Sequence, residues 1–203
     1  MESLDLFGDA APAAIDGLRY QGGFLSAEEE AQLLHGIAQI DLQPAKYKEY
    51  TARRKVRSFG GSFDYDNNVL RPAPPLPAML EPLRARVAQW LGVPDAALVH
   101  ALLAEYAPGT PLGWHRDVPD FEAIAGVSLG GPAVLRFRPY AEDRRAAKAL
   151  RLEVAPRSVY AIERAARWDW QHSVLPTQSM RWSITFRTGR AHASAVTAPN
   201  GRR

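Results

Sequence analysis

The sequence predicts a mainly β domain with flanking helices, of the α+β class, in which N-terminal helices cover one sheet of a sandwich or jelly roll. Three observations carry this reading. From about residue 98 the chain falls into eight runs of 6 to 10 residues, ALVHALLAEY, GWHRDV, AIAGVSLG, AVLRFRPY, ALRLEVAP, SVYAIE, DWQHSVL and RWSITFRT, most of them bounded by Gly, Pro or Asp. LRFRP, RLEV and RWSITFR alternate with period 2, which puts every second side chain on the same face of a strand. Two helical patterns precede these runs, and none separates them.

Taken in order, residues 1–19 read as an arm leading into the fold. Ser26 followed by AEEEAQLLHGIAQI reads as a helix. Ser26 can cap it, Glu29 completes a capping box, and Leu33, Leu34 and Ile37 supply an apolar face. Residues 46–57, KYKEYTARRKVR, hold six basic residues and two tyrosines. With the FGGSFDYDNNVL that follows, they read as strands joined by turns. LRPAPPLPAM is proline-rich and extended. MLEPLRARVAQWLGV reads as a second helix, closed by Gly92 and Pro94.

A chain of 203 residues with 46% hydrophobic content favours one domain with a core of its own. The absence of cysteine excludes disulfides, thiolate metal sites, iron–sulfur clusters and a cysteine nucleophile. The acidic start MESLDLFGDAAPAA does not read as a secretory signal. No apolar run reaches the ~18 residues of a membrane span. A cytoplasmic protein, with a monomer favoured, is the expectation. The net charge is +3, and the 25 Lys and Arg divide into 4 and 21. That excess of arginine reads either as a GC-rich codon bias or as a surface that grips phosphate.

GWHRDVPD contains His115 and Asp117 as His-x-Asp. Residues i and i+2 of a strand share a face, so imidazole and carboxylate would stand side by side. Of the other histidines, His35 lies on the first helix, His100 starts an apolar strand, and His192 is in the tail. His172, in the strand DWQHSVL, is the best third ligand. Two histidines and a carboxylate leave open positions that suit non-haem Fe(II), but zinc hydrolases use the same ligand set. A solvated loop pair is the plainer reading of a lone His-x-Asp.

The last strand, RWSITFRT, places Arg181 and Arg187 on one face, roughly 20 Å apart at the backbone. Ser183 and Thr185 share that face, while Trp182, Ile184 and Phe186 point the other way. Such a face suits an anionic object, and a dicarboxylate fits because guanidinium binds carboxylate in a bidentate fashion. An exposed face with solvated arginines is the alternative.

LLAEYAPGTPLGWHRD, VSLGGPAVLRFR, WQHSVLP and RWSITFR, in this order, resemble the AlkB-like Fe(II)/2-oxoglutarate dioxygenases over about residues 53 to 188. The resemblance implies a double-stranded β-helix (jelly roll), with a substrate-lid region at about 44–75, a core at about 98–188 and a tail at about 189–203. It implies Fe(II) on His115, Asp117 and His172, with 2-oxoglutarate and O₂ as co-substrates. Tyr106 and Ser183 would line the 2-oxoglutarate site, Arg181 would pair its distal carboxylate, and Arg187 would lie near its metal-side end. The chain departs from the family pattern at Ala104 and Ser183, where Asn is common, and at Pro119, an acid in some members that repair alkylated bases.

The activity implied is oxidative dealkylation of N-alkylated bases in DNA or RNA, on a single-stranded or flipped base. Phe63, Tyr65, Arg57 and Arg136 are the candidate substrate contacts, the aromatics by stacking and the arginines by phosphate contact. Two rivals remain open at this point. One is the same oxygenase chemistry on a protein or small molecule. The other is a non-catalytic jelly-roll module with a metal site.

Overall fold

The computed structural model describes residues 15–47, 50–64, 69–140 and 149–190. Within them β1 (Leu18–Gln21) precedes α1 (Ala27–Ile37). Four strands follow, β2 (Gln43–Tyr47), β3 (Tyr50–Phe59), β4 (Gly61–Asp64) and β5 (Val69–Pro72), and then α2 (Glu81–Leu91). The strand-rich half holds β6 (Leu98–Tyr106), β7 (Leu112–His115), β8 (Phe121–Gly130), β9 (Ala133–Pro139), β10 (Leu150–Val154) and β11 (Ser158–Ile162). A one-turn α3 (Arg164–Trp168), β12 (Trp170–Val174) and β13 (Arg181–Gly189) complete it.

Both expected helices form for the expected reasons. Ser26 Oγ accepts from the Glu29 amide at 3.1 Å, and Glu29 Oε2 accepts from the Ser26 amide at 2.7 Å. This reciprocal box satisfies two amides that the first turn of α1 cannot pair internally. α2 carries Pro82 in its first turn and ends at Gly92, whose φ of 78° is the left-handed conformation that glycine adopts without penalty.

Seven strands form the larger sheet in the order β1-β11-β8-β13-β6-β3-β2, and four form the smaller in the order β10-β9-β12-β7. The outer face of the larger sheet is apolar. Phe59, Ala101, Leu103, Val127, Leu129, Ile184 and Phe186 pack there against Ile37, Leu83, Val87 and Leu91 of the two helices. Truncating Phe186 or Ile184 to alanine in such a core costs about 2–5 kcal/mol. A second core joins the two sheets, with Leu18, Ile124, Tyr160 and Ile162 of the larger facing Leu135, Phe137, Leu152 and Val174 of the smaller. Alternation on β13 therefore does what its sequence pattern required: Ile184 and Phe186 enter the helix-side core, and Arg181, Ser183, Thr185 and Arg187 face the space between the sheets.

Three elements differ from expectation. Leu18 and Arg19 are not part of an arm but open β1, which pairs with β11. α3 interrupts the run of strands, and its five residues are too few for a periodic signal. The strand expected over GWHRDV stops at His115, leaving Asp117 in the connection to β8.

Candidate active site

β7 and β12 bring two histidines together. His115 and His172 are direct partners in the antiparallel register, with ring centroids 4.2 Å apart. His115 Nδ1 lies 2.9 Å from the Gly113 carbonyl oxygen, which can only accept, so Nδ1 carries a proton and Nε2 is the nitrogen left to face a metal. That Nε2 is 3.6 Å from Asp117 Oδ1. The ligating atoms of His115, Asp117 and His172 all fall within 4.8 Å of one another, a group able to hold one metal ion. Burial pushes the His172 imidazole down to about 3, so it stays neutral with a lone pair to give.

Asp117 reaches this group from a loop, so strand alternation does not aim it. Two arginines do. Arg187 Nε donates to Asp117 Oδ2 at 2.9 Å. Arg167, 2% exposed on α3, donates from NH2 to the carbonyl oxygens of Asp117, Val118 and Phe121 at 3.2, 2.7 and 3.0 Å. One guanidinium thus grips the carboxylate and the other the backbone that carries it. Burial alone would raise the Asp117 carboxyl, but the Arg187 guanidinium beside it outweighs that and holds the group well below the usual carboxylate range.

Behind the ligands, the inner face of the larger sheet forms a polar floor whose rows follow from the register. One row runs Ala104, Ser183, Ser128, Ser158 across β6, β13, β8 and β11. The next runs Leu102, Thr185, Gly126, Tyr160. Gly126 leaves room for the Tyr160 ring, since a Cβ there would lie 2.3 Å from it. Tyr106 pairs with Arg181 at one end, and His100 with Arg187 at the other.

Among the described residues Arg181 is the largest fully buried side chain. Its Nε donates to Ser128 Oγ at 3.0 Å, its guanidinium lies 5.0 Å from the Tyr106 ring centroid, and its NH2 is buried with no partner. Leaving part of a buried cation unpaired costs several kcal/mol, so a carboxylate delivered to that nitrogen is strongly favoured. A dicarboxylate co-substrate supplies such a group. The residues present therefore fit Fe(II) and 2-oxoglutarate: two imidazoles and an ionised carboxylate for the metal, and an unsatisfied guanidinium for the acid.

The other expected contacts fall elsewhere. Arg136 is next to Phe137 on β9, and Phe137 pairs with His172, so Arg136 lies on the opposite face of the smaller sheet from the ligands. Arg57 pairs with Leu103, on the helix side of the larger sheet. Phe63 pairs with Leu70 in the β4–β5 hairpin, its side chain not among those described, and Tyr65 lies outside the described residues, as does His192. His35 is on α1, away from the metal group. Sequence reading missed Arg167, Ser128 and Tyr160. Once β8 and β11 are paired, the parity of Ser128 with Gly126 and of Tyr160 with Ser158 puts them on the floor.

Residues 17–190 match the model of the 2OG-Fe(II) oxygenase superfamily. The chain is 26% identical to the "Alkylated DNA repair protein ALKBH8 homolog" of Arabidopsis thaliana, covering 91% of this chain and 62% of that protein. It is 25% identical to the mouse "tRNA (carboxymethyluridine(34)-5-O)-methyltransferase ALKBH8", over 79% of this chain and 24% of that protein. It spans between 24% and 62% of the length of these and of two further curated relatives. The solved structure of OsALKBH1 superposes with a TM-score of 0.66 over 85% of this chain and 98% of that one, at 14% identity, which places the two in one jelly-roll fold. With a family match across nearly the whole described region, a jelly-roll core and a ligand set suited to iron, the chain belongs to the 2OG-Fe(II) oxygenase superfamily and resembles its AlkB-like members.

Proposed function

We propose that the chain removes alkyl groups oxidatively from N-alkylated bases in DNA or RNA, with His115, Asp117 and His172 holding Fe(II). Bound iron, 2-oxoglutarate and O₂ together supply oxidative decarboxylation to succinate and CO₂, coupled to hydroxylation of a substrate C–H bond. When that carbon is a methyl on nitrogen, the hydroxylated product loses formaldehyde and leaves the bare amine. Arg181, with Tyr106 and Ser183, takes the distal carboxylate of 2-oxoglutarate, and Arg187 holds Asp117 in place for the metal. The lid over about 44–75, with Phe63 and Tyr65, covers the base. One observation supports the co-substrate part above others: the buried, unpartnered NH2 of Arg181, on the inner face of the larger sheet opposite the strands that carry His115 and His172. Support for a nucleic-acid substrate comes from the relatives, whose names refer to alkylated DNA and to tRNA.

The test is mass spectrometry on single-stranded DNA and RNA carrying 1-methyladenine, 3-methylcytosine or etheno adducts, with succinate measured in parallel. Loss of the adduct matched by succinate is expected. Fe(II)-dependent succinate with every oligonucleotide unchanged would move the substrate to a protein or small molecule. Retained iron affinity in His172→Ala would overturn the ligand assignment.

A further inference from the structure

We infer that the outer face of the four-stranded sheet is a second contact surface for the substrate strand, gripping the phosphates of single-stranded nucleic acid with Arg136, Arg138 and Arg151. The inference rests on the nucleic-acid reading above and adds a site on the opposite face of the sheet from the metal pocket.

The face is defined by register. His172, Phe137 and Leu152 point inward, so their neighbours Gln171, Ser173, Arg136, Arg138 and Arg151 point outward. Trp114, next to His115, is outward for the same reason. Arg151 is the direct partner of Arg136 on the neighbouring strand. Arg136 and Arg138 are two residues apart, about 7 Å along the strand. That spacing is comparable to the separation of successive phosphates along an extended single strand.

The two β9 arginines are held in place. The guanidinium carbons of Arg136 and Arg138 lie 4.7 and 4.3 Å from the Trp114 ring centroid. Arg136 Nε donates to Ser173 Oγ at 3.1 Å, and Arg138 donates from Nε and NH2 to Gln171 Oε1 at 3.0 and 2.9 Å. These partners are neutral. Arg19, Arg84, Arg86 and Arg187 each meet a carboxylate. Among the described residues Arg136, Arg138 and Arg151 meet none. Glu153 is the one acid at the outward positions of these four strands. Directly opposed like charges such as Arg136 and Arg151 destabilise a sheet unless an anion lies over them. Stacking and neutral hydrogen bonds orient cations without cancelling their charge, which is what a phosphate-binding surface needs.

The route to the metal is short. β7 is an edge strand, and its consecutive residues Trp114 and His115 lie on opposite faces. A single strand whose modified base enters at His115 has only to turn round that edge to meet Trp114 and the arginines. Arg116 lies on the way, 3.6 Å over the Tyr140 ring.

The experiment measures binding of an unmodified single-stranded 20-mer by the full chain as a function of salt. For Arg136→Gln/Arg138→Gln/Arg151→Gln, affinity should fall roughly tenfold or more, and the slope of log K against log salt should become shallower by about 2, at about 0.7 per lost phosphate contact. The matching triple Lys variant should keep the wild-type slope. Arg86→Gln, which removes one arginine from the helical side, should keep both affinity and slope. A triple Gln variant equal to wild type overturns the surface and leaves the dealkylase reading standing. A triple Lys variant with the shallow slope of the Gln variant also overturns it, because packing on Trp114 and not charge would then be responsible. Displacement of the 20-mer by polyglutamate as readily as by unlabelled 20-mer overturns it in favour of an acidic protein partner. A wild-type chain that binds no oligonucleotide at any salt overturns the nucleic-acid reading, and this surface with it.

Discussion

Arg187 Nε donates to Oδ2 of Asp117 at 2.9 Å, which turns the other oxygen, Oδ1, toward His115 Nε2 at 3.6 Å. The ion pair therefore selects which oxygen is free to face the metal position. It also supplies the nearest positive charge that keeps Asp117 ionised. Arg187→Met should lower metal affinity by about 10–100-fold, the usual effect of removing a group that orients a ligand. The Asp117 carboxyl should rise toward its ordinary range, so metal binding should require a higher pH than in wild type. Anaerobic Fe(II) titration at several pH values reads both effects. Wild-type affinity across the range would mean that Asp117 is positioned without Arg187.

Arg181 separates binding from folding. Its NH2 has no partner, so the cation burdens the empty fold and stabilises only the complex with a carboxylate. Arg181→Met should raise KM for 2-oxoglutarate roughly 10–100-fold, the equivalent of a lost charge-assisted contact of about 1.5–3 kcal/mol. The melting temperature of the metal-free protein should stay level or rise, because exchanging a poorly paired buried charge for an apolar side chain is neutral or stabilising. A lower melting temperature with unchanged KM would assign Arg181 to structure alone.

His100 gives the metal-free fold a defined acid sensitivity. Burial, and then the charge of Arg187, push its imidazole down to about 3 from an ordinary 6.5. Between those values the unfolded chain binds a proton that the folded chain excludes. Stability should therefore fall as pH drops from 6.5 toward 3, by up to about 1.4 kcal/mol per pH unit, with no contribution from this group above 6.5. Asp117 acts in the same direction over a lower window: its stabilisation is present above the ordinary carboxylate value of 3.8 and is lost as pH falls through its depressed folded value. Urea midpoints at about pH 7.5 and about pH 5 measure the His100 window. His100→Asn, which keeps an acceptor for Arg187 NH1, should reduce the difference between them. An undiminished difference would mean that other groups carry the acid sensitivity.

The sequence made legible what alternation and capping control. Ser26 and Glu29 announced α1 because a capping box is local. Arg181, Ser183, Thr185 and Arg187 announced the inner face of β13 because Trp182, Ile184 and Phe186 stand between them. His172 stood out by elimination among five histidines. Features that depend on pairing across the sheets were hidden. Arg136 and Arg57 stand out in sequence only as basic residues near aromatics, and only register shows that Phe137 takes the inner face, with Arg136 on the outer one, and that Arg57 backs onto Leu103. The His-x-Asp spacing suggested a shared strand face for His115 and Asp117. The strand in fact ends at His115, and long-range arginine contacts bring Asp117 to the same point.

Arg167 carries the last of those contacts, and nothing in ERAARWDW distinguishes it from a surface arginine. It is 2% exposed, and its hydrogen bonds go to main-chain oxygens of residues 117, 118 and 121, so it cross-braces the turn that leaves Asp117. Removing it deprives three carbonyls of that donor and frees the loop to move. Arg167→Met should therefore destabilise the fold by about 2–4 kcal/mol and, at temperatures where the variant remains folded, weaken metal binding about tenfold or more. The pH dependence of metal binding should hardly change, because Arg187 still faces the carboxylate. That separates the two arginines: loss of Arg187 moves the pH profile, and loss of Arg167 lowers affinity at every pH. A folded Arg167→Met protein with wild-type affinity would show that the Asp117 loop holds its shape unaided.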